Sequence, residues 1–438
     1  MNSLPSRLVQ LTIFANIALA AVYLYSYVVT PERILAVATV ISLILFVNKV
    51  RPISRQTKKV LIVGFSLILF KYLVDSTIHI QNIFDPIKIA LIEIFALVYL
   101  PIVEWNKISN KVVYNTILIS AIPGIIFGVI QALGANITIK SIVPNNPIVI
   151  FEKERFDYFE HTGRIVGTFT TGVLFSLLLG TLFIILMARL WEGPNYLRNY
   201  IKKILFTTIL LLLFFLILYT QTRSAIYGLP ASVILGYYLS SRHFVKKTFI
   251  VLLAGAIGVF SFGTFQMLVT GVSQRSTLGI DANTYYKLTS NIYGVYAALA
   301  RDPLFGVPVN RRLDRGEGSD DDMKLVEEGR RKLGKIITTG ESYQLTATNH
   351  NQIAYYIKYY GLIGFSLFIL LLYVVFKKIK QKEDSATRFI LMCVFVYHIQ
   401  FSLLHNNQLL ETLLFWILLG LGDEYKYTNR KRANGDVQ

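Results

Sequence analysis

A histidine suited to general-base chemistry lies where a polar stretch of the chain meets a long apolar run. From Asn351 to Phe376 the only charged residue is Lys358, and at 1.5 Å per residue this run can cross a bilayer core of about 30 Å. His350 therefore precedes the N-terminus of a predicted transmembrane helix, where the helix dipole favours the neutral imidazole that a base requires. The alternative is that His350 and Asn351 form only a helix cap.

Cationic side chains are predicted on the same side of the membrane as His350. Arg223 lies in a short polar segment between two apolar runs, and a long loop contains Arg275, Lys287 and Arg301. An arginine near bilayer depth is costly unless it is paired or functional, and its guanidinium binds phosphate oxygens through two parallel hydrogen bonds. These residues predict a site for a phosphate-bearing lipid. Arg301 has a second interpretation, in which it pairs with Asp302 or extends along the membrane surface.

The composition is typical of a polytopic membrane protein. The chain has 438 residues, of which 54% are hydrophobic and 16% charged, and its mean hydropathy is +0.51. The net charge of +18 lies in short clusters between apolar runs, which favours contact with anionic membrane lipids over nucleic acid. With Cys393 as the single cysteine, neither a disulfide framework nor a cysteine metal site is expected.

The apolar runs predict an all-α polytopic fold with about twelve transmembrane helices. The segment Thr220–Ser224 interrupts an apolar stretch that is too long for one crossing, and it predicts a tight hairpin. The runs lie near residues 8–28, 33–49, 59–76, 86–103, 112–133, 167–189, 202–220, 223–240, 247–269, 351–376, 387–403 and 405–421.

Lysine and arginine clusters occur in every second loop between the apolar runs. This pattern predicts the orientation of the chain in the membrane. All the clusters lie on one side if both termini are cytoplasmic. The prediction divides the chain into an N-terminal bundle (1–269, with an outer loop near 135–166), a long outer loop (270–350), C-terminal helices (351–421) and a cytoplasmic basic tail (422–438).

The long outer loop is expected to be partly helical, because loops of this length are seldom plain connections. Asp281 or Asn283 can cap a helix that Pro303 stops, and a second helix can begin at Ser319. The carboxylates of Asp320, Asp321 and Asp322 are interpreted as helix capping, so no metal site is predicted.

Four short motifs in the chain resemble those of the bacterial O-antigen ligases, within the O-antigen ligase and polymerase superfamily. They are His350-Asn351 followed by Gly361 and Gly364, the segment Thr222-Arg223-Ser224-Ala225, the turn Asp302-Pro303-Leu304-Phe305-Gly306-Val307, and Gly163-Arg164-Ile165-Val166-Gly167-Thr168-Phe169. The resemblance extends over most of the chain. Two positions depart from the family pattern: Lys287 and Leu288 stand where an arginine is common, and Thr170-Thr171-Gly172 replaces a Pro-Asn pair.

The resemblance implies transfer of a polysaccharide from undecaprenyl diphosphate to the lipid A-core oligosaccharide, on the periplasmic face of the inner membrane. His350 would be the base, and Arg223 would bind the diphosphate together with Arg301 or Arg275. Arg164, Lys287 and Asn351 are further candidates for substrate binding, and no metal or other cofactor is expected. The alternatives are a polymerase that joins lipid-linked repeat units and a transporter of lipid-linked glycan. The transporter is disfavoured because the singled-out polar residues lie at one face rather than at mid-membrane depth.

Overall fold

Ten helices are described in the computed structural model. It describes residues 4–14, 17, 54–78, 84–103, 105, 108–135, 164–169, 172–191, 200–240, 295–296, 298–307, 351–404 and 412–421. Within these residues the chain is almost entirely helical and contains no strand. The all-α part of the predicted fold is therefore confirmed.

The helix bounds follow the apolar runs closely. The helices are α1 (Leu4–Phe14), α2 (Arg55–Leu73), α3 (Phe84–Ile102), α4 (Asn110–Ala132), α5 (Gly172–Trp191), α6 (Tyr200–Tyr219), α7 (Arg223–Ser240), α8 (Gln352–Lys380), α9 (Ser385–Leu404) and α10 (Leu413–Gly420). A π-helical turn at Val74–Ile78 extends α2. The starts and ends of α2 to α9 lie within a few residues of prediction, whereas α10 begins later than predicted. The predicted runs at 33–49 and 247–269 lie outside the described residues.

Four of these helical segments are long and apolar enough to cross a membrane, judged by length and composition. They are Arg55–Ile78, Asn110–Ala132, Gly172–Leu190 and Gln352–Lys380. Large apolar side chains also cover their outward faces; Ile62 is 55% exposed and Ile119 is 62% exposed. Such exposure is expected where a helix faces lipid tails, which are as apolar as the side chains themselves. The number of twelve crossings and the orientation stay predictions.

Helix α9 connects the parts of the bundle, because it packs against α5, α7 and α8. It packs most extensively against α7, where two glycines face it. A Cβ on Gly236 would overlap Cys393, and one on Gly228 would overlap the side chain of Gln400. Small residues allow helix backbones to approach closely in lipid, where packing rather than the hydrophobic effect holds helices together.

The predicted hairpin between α6 and α7 is confirmed. Helix α6 ends at Tyr219 and α7 begins at Arg223, so only three residues connect the two helices. Gln221 has a positive φ of 51°, and its N–H donates to the Leu218 carbonyl at 2.9 Å. Thr220 and Thr222 are buried. The hairpin is therefore an ordered part of the packed interior.

Candidate functional site

Helix α8 begins immediately after the predicted base, with Asn351 as its N-cap. The Asn351 Oδ1 atom accepts hydrogen bonds from the backbone N–H groups of Ile353 at 2.8 Å and Ala354 at 3.2 Å. These bonds satisfy donors that the first turn of a helix cannot pair internally. The capping interpretation is confirmed for Asn351, whose carboxamide oxygen is therefore engaged in the helix. His350 itself lies outside the described residues.

The first part of α8 is separated from the rest by a kink at Gly361. This residue has φ 59° and ψ −164°, a combination close to the backbone region that only glycine occupies readily. At this kink the helical segment 352–360 changes direction relative to the rest of α8. The glycine that follows His350 in the family-like motif therefore sets the direction in which α8 begins.

The turn at residues 302–307 docks directly on this kink. The backbone N–H of Val307 donates to the Lys358 carbonyl at 2.8 Å, and that of Leu362 donates to the Pro303 carbonyl at 2.9 Å. The turn is shaped by Asp302, whose Oδ1 accepts from the N–H groups of Leu304 and Phe305, each at 3.0 Å. Two motifs that are more than forty residues apart in the sequence thus form one backbone-bonded unit.

Arg301 is held beside α8 by this docked turn. Residues 298–301 are helical, so a helix ends just before Pro303, as predicted. Ala298 is buried, whereas Arg301 is exposed. The backbone bond to α8 nearest to Arg301 joins Pro303 to Leu362, so Arg301 lies close to the kink of α8.

Arg164 contacts the short hairpin that connects α6 to Arg223, the first residue of α7. The Arg164 Nε and Nη2 atoms donate to the side-chain and backbone oxygens of Gln221, each at 3.4 Å. The backbone N–H of Ile165 donates to the Tyr219 carbonyl at 3.3 Å. These contacts bring two further family-like motifs together, and Arg223 is the first residue of α7 at this point.

Gln131, near the end of α4, holds the Arg164 segment in place. Its Oε1 accepts from the N–H groups of Val166 and Gly167, each at 2.9 Å, and its Nε2 donates to the Gly167 carbonyl at 3.0 Å. The side chain of Gln131 therefore pairs backbone groups that have no partner in a helix or a strand.

We expect Gln131→Ala to destabilise the Arg164 segment, because it removes the side-chain hydrogen bonds to Val166 and Gly167 and leaves their backbone groups unpaired. The expected loss is about 2–4 kcal/mol, measured from the midpoint of denaturation of the purified protein in detergent. The matched control is Gln10→Ala, which removes a single bond of 3.3 Å to Thr116. If the two variants lose stability equally, the role assigned to Gln131 is wrong.

The structure adds a buried charged cluster that the sequence interpretation missed. Lys71 of α2 forms an ion pair with Glu93 of α3, and the Tyr360 hydroxyl of α8 donates to Asp75 Oδ2 at 3.2 Å. All four side chains are buried. A usable signal was present, since Lys71, Asp75 and Glu93 are charged residues inside predicted spans, where charge is rare and usually functional.

The candidate residues form two groups. One contains Arg301, the docked turn and the part of α8 around the Gly361 kink, and the other contains Arg164 and the start of α7 at Arg223. Helix α9 packs against both α7 and α8, and its Gln400 Nε2 donates to the Ser224 carbonyl at 3.3 Å. Arg275 and Lys287 lie outside the described residues. Their predicted roles stay predictions, and so do the catalytic roles of His350, Arg223 and Arg301 and the substrate-binding roles of Arg164 and Asn351.

A scan against models of protein families finds no match for this chain, and a comparison with curated proteins also finds none.

Proposed function

We propose that this protein is an O-antigen ligase, which transfers a polysaccharide from undecaprenyl diphosphate to the lipid A-core oligosaccharide at the periplasmic face of the inner membrane. The observation that carries the proposal is the docking of residues 302–307 on the kink at Gly361. Through it, exposed Arg301 is attached to the same short segment, 352–360, that His350 precedes. A phosphate-binding cation next to the turn docked on α8 and a general base that precedes the same helix in the sequence suit transfer from a lipid diphosphate.

The proposed reaction needs one proton transfer and one displacement. His350 removes the proton from an acceptor hydroxyl, whose oxygen attacks the anomeric carbon of the donor sugar. The bond between that carbon and the diphosphate oxygen breaks, so undecaprenyl diphosphate leaves and the anomeric configuration inverts. Arg223 and Arg301 stabilise the negative charge that develops on the diphosphate, as positioned cations do in phosphoryl and glycosyl transfer.

The test is transfer by the purified protein in liposomes supplied with an undecaprenyl-diphosphate glycan that carries a fluorescent label. With lipid A-core as acceptor, we expect the label to appear covalently on the core. Movement of the labelled donor between leaflets without a new covalent product would contradict the proposal and favour a transporter.

The acceptor distinguishes the ligase from the polymerase. Both enzymes need an activated hydroxyl and a bound diphosphate, so the same base and arginines serve either. In liposomes that contain only lipid-linked repeat units, we expect no chain extension. Extension there, together with no transfer to lipid A-core, would show that the protein is a polymerase and not a ligase.

A further inference from the structure

The segment 352–360 of α8 is held on one side by the buried charged cluster. The Lys71 Nζ atom lies 5.3 Å from the ring centroid of Tyr360, 5.8 Å from that of Tyr356 and 5.9 Å from that of Tyr355. A cation at this distance from an aromatic face is attracted to it, more strongly when it is removed from water. Lys71 thus contacts three tyrosines of the segment at once.

Two carboxylates complete this contact. Glu93 of α3 pairs with Lys71, which offsets the cost of placing an ammonium group in a buried site. Asp75 lies in the π-helical turn after α2 and accepts the hydrogen bond from Tyr360, the last residue before the Gly361 kink. The cluster therefore contacts the segment at Tyr355 and Tyr356, and again at Tyr360 next to the kink.

The docked turn also contacts this segment of α8. Besides the backbone bonds to Lys358 and Leu362, the ring of Phe305 stacks on that of Phe70 in α2, with centroids 6.3 Å apart. Helix α2 therefore contacts both the turn that follows Arg301 and the segment that follows His350. Movement of the turn or of the segment relative to α2 would change the position of Arg301 relative to the residue that precedes α8, His350.

We infer that Lys71, Glu93, Asp75 and Tyr360 are positioning residues, which fix the start of α8 and thereby the orientation of the base relative to the diphosphate. This inference rests on the proposed function. None of the four needs to touch substrate, since each acts through the segment 352–360. A misplacement of about 1 Å can reduce the rate on the order of 10²-fold, so loss of the cluster should lower kcat and leave KM nearly unchanged.

The most informative variant removes the ion pair without leaving an unpaired charge. Replacing a buried pair by apolar residues is often neutral or stabilising, so the double variant Lys71→Met/Glu93→Leu should fold. If the pair matters only for folding, this variant will match the parent in kcat. We expect instead parental thermal stability with kcat reduced on the order of 10²-fold in the liposome assay.

A second pair of variants tests the hydrogen bond at Asp75. Asp75→Asn keeps an oxygen that can accept from Tyr360, whereas Asp75→Ala does not. We expect Asp75→Asn to retain most of the parental kcat, and Asp75→Ala and Tyr360→Phe to be slow. An Asp75→Asn variant as slow as Asp75→Ala would overturn the inference, because the carboxylate would then act by charge or proton transfer and not by positioning.

Position itself can be measured without any reaction. In a Cys393→Ala background, spin labels at Ile62→Cys on α2 and Ile357→Cys on α8 report the distance between the two helices. We expect a narrow distribution in this labelled parent and a broad one when Lys71→Met/Glu93→Leu is added. An unchanged distribution would overturn the inference even if kcat fell. If the parent transfers no glycan the proposed function fails, while the distance measurement still tests the positioning role.

Discussion

His350→Ala should reduce glycan transfer by about 10²–10⁴-fold, the usual cost of removing a general base. The acceptor hydroxyl would then have to lose its proton to water in a site built around a helix start. Asn351 caps α8 through its own side chain, so removal of the neighbouring imidazole should leave the helix and membrane insertion intact. The measurement is the initial rate of transfer in liposomes, at matched amounts of inserted protein.

The chain supplies a matched control for this variant. His405 is also followed by an asparagine, Asn406, and is predicted on the same side of the membrane, where it is interpreted as a polar loop residue. We expect His405→Ala to transfer at the parental rate. A His350→Ala protein that keeps the parental rate would show that the base has been misassigned.

Gly361→Ala should abolish transfer and destabilise the protein by more than about 3 kcal/mol. A side chain at this φ and ψ costs about 1–3 kcal/mol in backbone strain alone, and a Cβ here would also overlap the backbone of Leu304 in the docked turn. The turn would have to leave α8, and Arg301 would move with it. Transfer rate and the midpoint of denaturation in detergent would be measured together.

Gly134→Ala separates backbone strain from the loss of docking. Gly134 also has a positive φ, 93°, but a Cβ there would meet nothing within 4 Å. We expect a modest loss of stability and unchanged transfer. Equal effects of Gly361→Ala and Gly134→Ala would indicate that the docked turn contributes nothing beyond strain.

Helix positions could be read from the sequence because lipid imposes a strict condition on the backbone. Every N–H and C=O group must be paired within the segment, so an apolar run long enough to cross becomes a helix. The bounds of α2 to α9 and the short hairpin before Arg223 follow from this condition. The start of α8 at Gln352 follows from the same run together with the capping capacity of Asn351.

The contacts between these helices could not be read in the same way. Apolar side chains gain nothing by choosing one helix over another in lipid, so partner choice depends on close packing and on polar contacts between distant residues. The pairing of Lys71 with Glu93, and the fit of Gln400 against Gly228, depend on shapes that no local pattern describes.

The sequence by itself determined the helices and the types of residue that could do chemistry: a histidine before an apolar run and arginines at its predicted face. The tertiary structure decided that the turn at residues 302–307 docks on the kink at Gly361 and that Arg164 lies against Gln221. The physical reason is that backbone pairing within a helix is local. The bonds that join the turn to α8 connect residues far apart in the chain, and they form only where a glycine at each side lets two backbones meet.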